Sequence, residues 1–176
     1  VSLLQRLARA IDRANEALGR TIAWLALAIV LLQFAVVVLR YVFGLGSVKM
    51  QEGVVYMHAT LFMVAAGDTL LHNGHVRCDI FYSAASRRTQ AIIDLFGVCV
   101  FLVPMCTLIV WVAWPYVAAA WEVREGSPEG SLGIPGVYLL KSVILLFAGL
   151  LVLQGLALAI HSALLLAGVE AAPADA

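Results

Sequence analysis

Charge is scarce in this chain: 12% of its 176 residues are Asp, Glu, Lys or Arg, where a soluble domain carries about a quarter. With 63% hydrophobic residues and a mean hydropathy of +0.98, water is the wrong solvent for most of it. Its 11 basic and 11 acidic residues cancel, and the basic ones sit between apolar runs and near the start instead of forming a patch for nucleic acid. Cysteine is equally sparse. Cys78, Cys99 and Cys106 make an odd count, and the last two lie in an apolar run where they are expected to pack as small hydrophobes, so no disulfide framework is read. The chain also lacks a Gly-x4-Gly-Lys-Ser/Thr loop and any extramembrane segment long enough for a nucleotide domain, which excludes ATP as a directly bound fuel. No Ser/His/Asp or Cys/His arrangement stands in a plausible context. We therefore read no enzyme, no catalytic residue and no resident cofactor.

What the chain does have is apolar length. A spanning helix needs about 20 mostly apolar residues, because a hydrocarbon core of about 30 Å is crossed at 1.5 Å per residue. Four stretches qualify: Thr21 to Leu39, Gly53 to Leu71, Leu95 to Trp121 and Ser142 to Val169. The expectation is an all-α integral membrane protein with one membrane domain over residues 1–176. It divides into an interfacial helix (1–20), spans over 21–43, 52–71, 91–121 and 134–168, a cytoplasmic interfacial segment (72–90), a periplasmic loop (122–133) and a tail (169–176).

The first run is too long for a signal-peptide core and no small-x-small site follows Arg40-Tyr41-Val42-Phe43, so it reads as a retained anchor. Arg6, Arg9, Arg13 and Arg20 precede the first span, and Arg77, Arg87 and Arg88 join the second to the third. By the positive-inside rule these face the cytoplasm, as do both termini. Trp24 then marks the inner boundary, and Tyr41, Trp111, Trp114, Tyr116, Trp121 and Tyr138 the outer one. Ahead of the first span, Leu3, Leu4, Leu7, Ile11, Ala14 and Leu18 recur at helical spacing with the arginines off that stripe, as in a helix lying on the membrane surface. The alternative is that this helix simply continues the first span. Pro104 and Pro115 predict kinks, and Pro135 suits the first turn of the last helix.

Several polar residues fall in or beside the spans. The cluster His72-Asn73-Gly74-His75-Val76-Arg77-Cys78-Asp79 has metal-capable donors, but a turn at Asn73-Gly74, with Arg77 on lipid phosphate or on Asp79, explains it as well. No metal site is assigned. His58 and His161 form the one histidine pair in two spans, yet at different depths, which argues against a haem between them. Asp68 is an intramembrane carboxylate that a stand-alone proton- or cation-coupled transporter would use, and also one that a nearby base would neutralise at the interface. Glu52 suits a helix N-terminus, with Arg40 or Lys49 as partners. Small residues recur at Gly53, Thr60 and Gly67, and again at Gly155, Ala159 and Ala163, as surfaces for close helix packing inside the chain or with a partner.

The strings Arg40-Tyr41-Val42-Phe43-Gly44, Gln51-Glu52, Gly74-His75-Val76-Arg77-Cys78-Asp79-Ile80-Phe81-Tyr82, Gly133-Ile134-Pro135 and Leu140-Lys141-Ser142 occur in order between four spans. In this the chain resembles the small membrane subunit (DctQ-type small permease) of tripartite ATP-independent periplasmic (TRAP) transporters, with Lys49 and Cys78 departing from the family pattern. Arg40, Glu52, His75 and Asp79 are the polar residues of the matching strings. The resemblance implies a sodium-coupled symporter of the bacterial inner membrane. In it a periplasmic binding protein delivers an organic acid to a large permease subunit, and the small subunit is a scaffold that carries no substrate. It further implies anchoring by phospholipid headgroups at the arginines and by Trp111, Trp114 and Trp121. The competing readings are a self-sufficient transporter using Asp68 and a haem-bearing membrane anchor.

Overall fold

The computed structural model describes residues 3–75, 82 and 85–168, and among these it is helical with no strand. Helix α1 (Leu3–Ile22) is followed after Ala23 by α2 (Trp24–Val42), then α3 (Val48–Val64), the short α4 (Ala66–Leu71), α5 (Arg87–Gly97), a π-helical segment (Val98–Leu102), α6 (Val103–Glu122), a 3₁₀ turn (Gly130–Leu132) and α7 (Val137–Leu166). Among the described residues four stretches are long and apolar enough to cross a membrane: Leu3–Val42, Val48–Leu71, Arg87–Glu122 and Val137–Leu166. The first contains 40 residues, about 60 Å of helix against a core of about 30 Å, so part of it must lie outside the hydrocarbon.

Local chemistry sets the boundaries. Ser47 and Ser86 cap α3 and α5, each accepting from the backbone N–H three residues on (Met50, 3.4 Å; Thr89, 3.3 Å). Asn73, at φ 53°, ends α4 in a left-handed turn in which the Gly74 N–H donates to the Thr69 carbonyl at 2.8 Å, the turn expected at Asn73-Gly74. Arg124, at φ 46°, does the same for α6, where the Glu125 N–H reaches the Ala120 carbonyl at 2.9 Å. The prolines sit differently. Pro104 occupies the first turn of α6 directly after the π segment, whose wider winding gives its ring room, and Pro115 lies within α6. Pro135 precedes α7, which starts one residue beyond Gly136.

Helix α7 is the central post. It packs against α1, α3, α4, α5 and α6, while α2 packs on α3. Its buried residues are Ala148, Leu150, Gln154, Gly155, Ala157 and Ser162. Close approach is enforced at Gly155, where an added Cβ would stand 2.8 Å from Leu102 Cδ2. Helices α2 and α5–α6 run one way and α3–α4 and α7 the other. One end of the bundle therefore gathers α1, His72 and the start of α5 (the arm end), and the other gathers the Ser47 cap and residues 123–136 (the loop end). Cys106 is buried as expected, but Cys99 is exposed on the π segment.

Candidate functional site

Polar side chains between helices collect at the two ends. At the arm end, α1 turns Ala8, Asn15 and Gly19 into the bundle and leaves Leu3, Leu4, Leu7 and Leu18 exposed. The buried face is thus the small and polar stripe 8, 12, 15, 19, not the leucine stripe. Asp12 Oδ1 accepts from Gln154 Nε2 at 2.8 Å and its Oδ2 lies 2.9 Å from His161 Nε2. Gln154 Oε1 in turn accepts from Asn15 Nδ2 at 2.6 Å. Asn15 and Gln154 are 3% and 2% exposed, so the Asn15 amide finds its acceptor on Gln154 where water is excluded. Two glycines make the approach possible: a Cβ on Gly19 would fall 2.3 Å from the Asp68 carboxyl carbon, and one on Gly67 2.8 Å from Asn15 Oδ1. Asp68 Oδ1 is buried without a hydrogen-bond partner, 3.2 Å from His72 Nδ1, whose ring bonds the Asp68 backbone carbonyl at 3.1 Å. This first clasp joins α1, α4 and α7.

At the loop end, Glu52 on α3 accepts from the Ser127 hydroxyl and, through Oε2, from the Ile134 backbone N–H at 2.6 Å. Its partners are thus the loop, where Arg40 or Lys49 had been considered. Gly133 is required here, because a Cβ would strike both Ser127 and Glu52. Nearby, Lys141 Nζ donates to Glu125 Oε2 at 2.5 Å and lies 3.9 Å from the centre of the Tyr116 ring. Trp121 Nε1 donates to Ser142 Oγ at 2.8 Å and its ring meets Tyr138 edge-on at 4.7 Å. This second clasp joins α3, α6 and α7 through the loop.

The remaining sequence candidates are dispersed. Thr60 Oγ1 donates to its own helix at the Tyr56 carbonyl, 2.7 Å. Gly53 has ordinary contact with Leu32 Cδ2 at 3.5 Å. Ala163 is exposed and Ala159 half-buried. Arg6, Arg9, Arg13, Arg20, Arg40, His75, Arg87 and Arg88 are exposed, as are Trp111, Trp114 and Trp121. Arg77, Cys78 and Asp79 lie outside the described residues, and with them half of the conceivable metal donors His72, His75, Cys78 and Asp79. Among the described residues no group of three His, Cys, Asp or Glu is placed to hold a metal.

Residues 29–165 match the family described as "Tripartite ATP-independent periplasmic transporters, DctQ component". The chain belongs to that family. No curated protein and no solved structure matches it. As a DctQ component it is a transmembrane small permease of a TRAP transporter, a system that also comprises a large permease and a periplasmic binding protein. Both clasps of this DctQ chain close on its own residues: side chains tie α1 and α6 to α7, and α3 and α7 to the loop between α6 and α7. Asp12, Asn15 and Gln154 were not singled out from sequence. The available signal was the spacing 8, 12, 15, 19 in α1, together with Gln154 and His161 seven residues apart on one face of an otherwise apolar helix.

Proposed function

We infer that this DctQ chain is the fixed scaffold of a sodium-coupled importer of an organic acid, holding the large permease subunit and carrying no substrate itself. The observation that supports this is the self-contained pairing at both ends: Asp12 with Gln154 and His161, and Glu52 with Ser127 and Ile134. Side chains committed to one another brace helices, whereas a substrate path needs polar groups left open to the cargo. A permease whose transport elements move through the bilayer needs a neighbour that does not.

In this reading the arm end is cytoplasmic, both termini included, and the membrane is the bacterial inner membrane. The α1 helix lies at the interface: its leucines stay exposed while its arginines reach headgroups. Of the small-residue faces, Gly67 and Gly155 meet side chains of this chain, and the exposed Ala163 is offered to the large subunit. The Trp111, Trp114 and Trp121 belt fixes depth at the loop end.

Proteoliposomes test the assignment. With the large permease, the binding protein and sodium, uptake is expected to require this chain, and this chain alone is expected to accumulate nothing. Solute accumulation by liposomes holding only this chain would overturn the scaffold role in favour of transport through Asp68.

A further inference from the structure

Helix α3 has two sides of different character. Its inward side meets α2 and α7, with Tyr56 and Thr60 half-buried and Val64 buried. From Gln51 to Phe62 its exposed residues are Gln51, Val55, His58 and Phe62, spaced four, three and four apart, the repeat of a helix–helix seam. Helix α2 instead exposes adjacent pairs such as Ala26–Leu27 and Val30–Leu31, a wide arc. On α3 the flanks are covered and one narrow line is left open.

His58 stands within that line. It lies about 9 Å along the helix from Glu52, which fastens the loop end, and about 21 Å from His72 at the arm end, a run of about 30 Å that matches the hydrocarbon core. The ring is therefore inside the membrane, on a stem shorter than those that carry Lys and Arg heads out to water. It faces away from the bundle, so it lines no path through this chain. A neutral imidazole carries one donor and one acceptor, and among the described residues neither nitrogen of His58 has a partner. Lipid tails supply none, so an open imidazole at this depth calls for a polar group from another polypeptide, which inside the hydrocarbon arrives on a helix. The outer side of α6 is the contrast. Leu108, Trp111 and Val112 are exposed there, and the Thr107 hydroxyl is satisfied at the Val103 carbonyl of its own helix, 2.8 Å. We propose that the line Gln51, Val55, His58 and Phe62 is the seat of one transmembrane helix of the large permease, which packs along Val55 and Phe62 and meets His58 with a hydrogen-bonding side chain such as Ser, Thr, Asn or Gln. This assignment rests on the scaffold reading, in which the large permease is the neighbour in the membrane, and adds the face used and the chemistry of recognition.

Photo-crosslinking in membranes that hold this chain together with the large permease tests the seat. A benzoylphenylalanine placed at Val55 or at Phe62 is expected to capture the large permease, and one at Leu108 on α6 is expected not to. His58→Leu is expected to lower the amount of large permease co-purified in mild detergent roughly tenfold, as the loss of one interhelical hydrogen bond predicts. His58→Gln, which keeps a donor and an acceptor, should restore most of it. Because His58 is exposed, neither variant removes a contact within the chain, which gel filtration and thermal unfolding of the chain by itself check. Equal co-purification with the wild type and with His58→Leu overturns the proposal, as does capture at Val55 and Phe62 of lipid only or of a second copy of this chain. The uptake assay is separate: accumulation by this chain alone would end the scaffold role whatever the crosslinks show, whereas crosslinks from α6 in place of α3 would move the seat and leave that role intact.

Discussion

The two ends of the bundle are closed by different chemistry. At the loop end a single carboxylate, Glu52, accepts a hydroxyl and a backbone N–H from a turn-rich segment, so one side chain orders a loop. At the arm end four side chains from two helices form a relay, Asn15 to Gln154 to Asp12 to His161, and order a whole helix. The difference lies in what is being fastened. A loop has free backbone donors to offer a carboxylate, whereas a helix has bonded its own and can be held only through side chains and close contact. The arm is accordingly the more demanding joint, and its failure should be selective.

The steepest break is expected from Gly19→Leu, whose Cβ would collide with Asp68 and force α1 off α4 and α7 at about 3 kcal/mol. Trypsin should then cut at Arg13 and Arg20 while α2 to α7 survive as one band. Asp12→Ala comes next. It removes the acceptor of Gln154 Nε2 and the partner of His161 Nε2 with a loss of about 2 kcal/mol, read as a lower unfolding midpoint in detergent together with the same cleavage. Glu52→Gln should act at the other end only. Maleimide labelling of a cysteine placed at Gly130 should speed up severalfold while α1 stays resistant to trypsin. The smallest effect belongs to Trp121→Phe, which removes the N–H to Ser142 but keeps the ring on Tyr138, about 1 kcal/mol by thermal unfolding. Cleavage of α1 in the Glu52 variant, or faster Gly130 labelling in the Asp12 variant, would show that the two joints are coupled.

The spans were legible because apolar length is a direct demand of the bilayer, and so was the Asn73 turn. The arm-end relay was not. In α1 the strongest periodic signal is the leucine stripe, which in a soluble protein would mark the buried face. Next to lipid both faces are apolar or amphipathic, and the one turned inward is set by the small and polar residues Ala8, Asp12, Asn15 and Gly19. Glu52 was legible as a helix-terminal carboxylate but not its partners, since Ser127 and Ile134 come within reach only when the loop folds back across the bundle. The π segment left no trace in the sequence apart from Pro104.

That segment has a consequence for how the third crossing tolerates change in length. Between Val98 and Leu102 the backbone closes five residues back, as the Val103 N–H does onto the Val98 carbonyl, so one residue more than an α-turn needs is absorbed there. Removing a single residue from 98–102 would let ordinary winding resume and swing everything before it through about 100°. Asp94 would then turn away from the Tyr82 hydroxyl bonded to it while Trp121 stayed on Ser142. The segment works as a phase adjuster: it lets the aromatic end and the basic end of one helix each meet its own neighbours, although no single α-helical register would serve both.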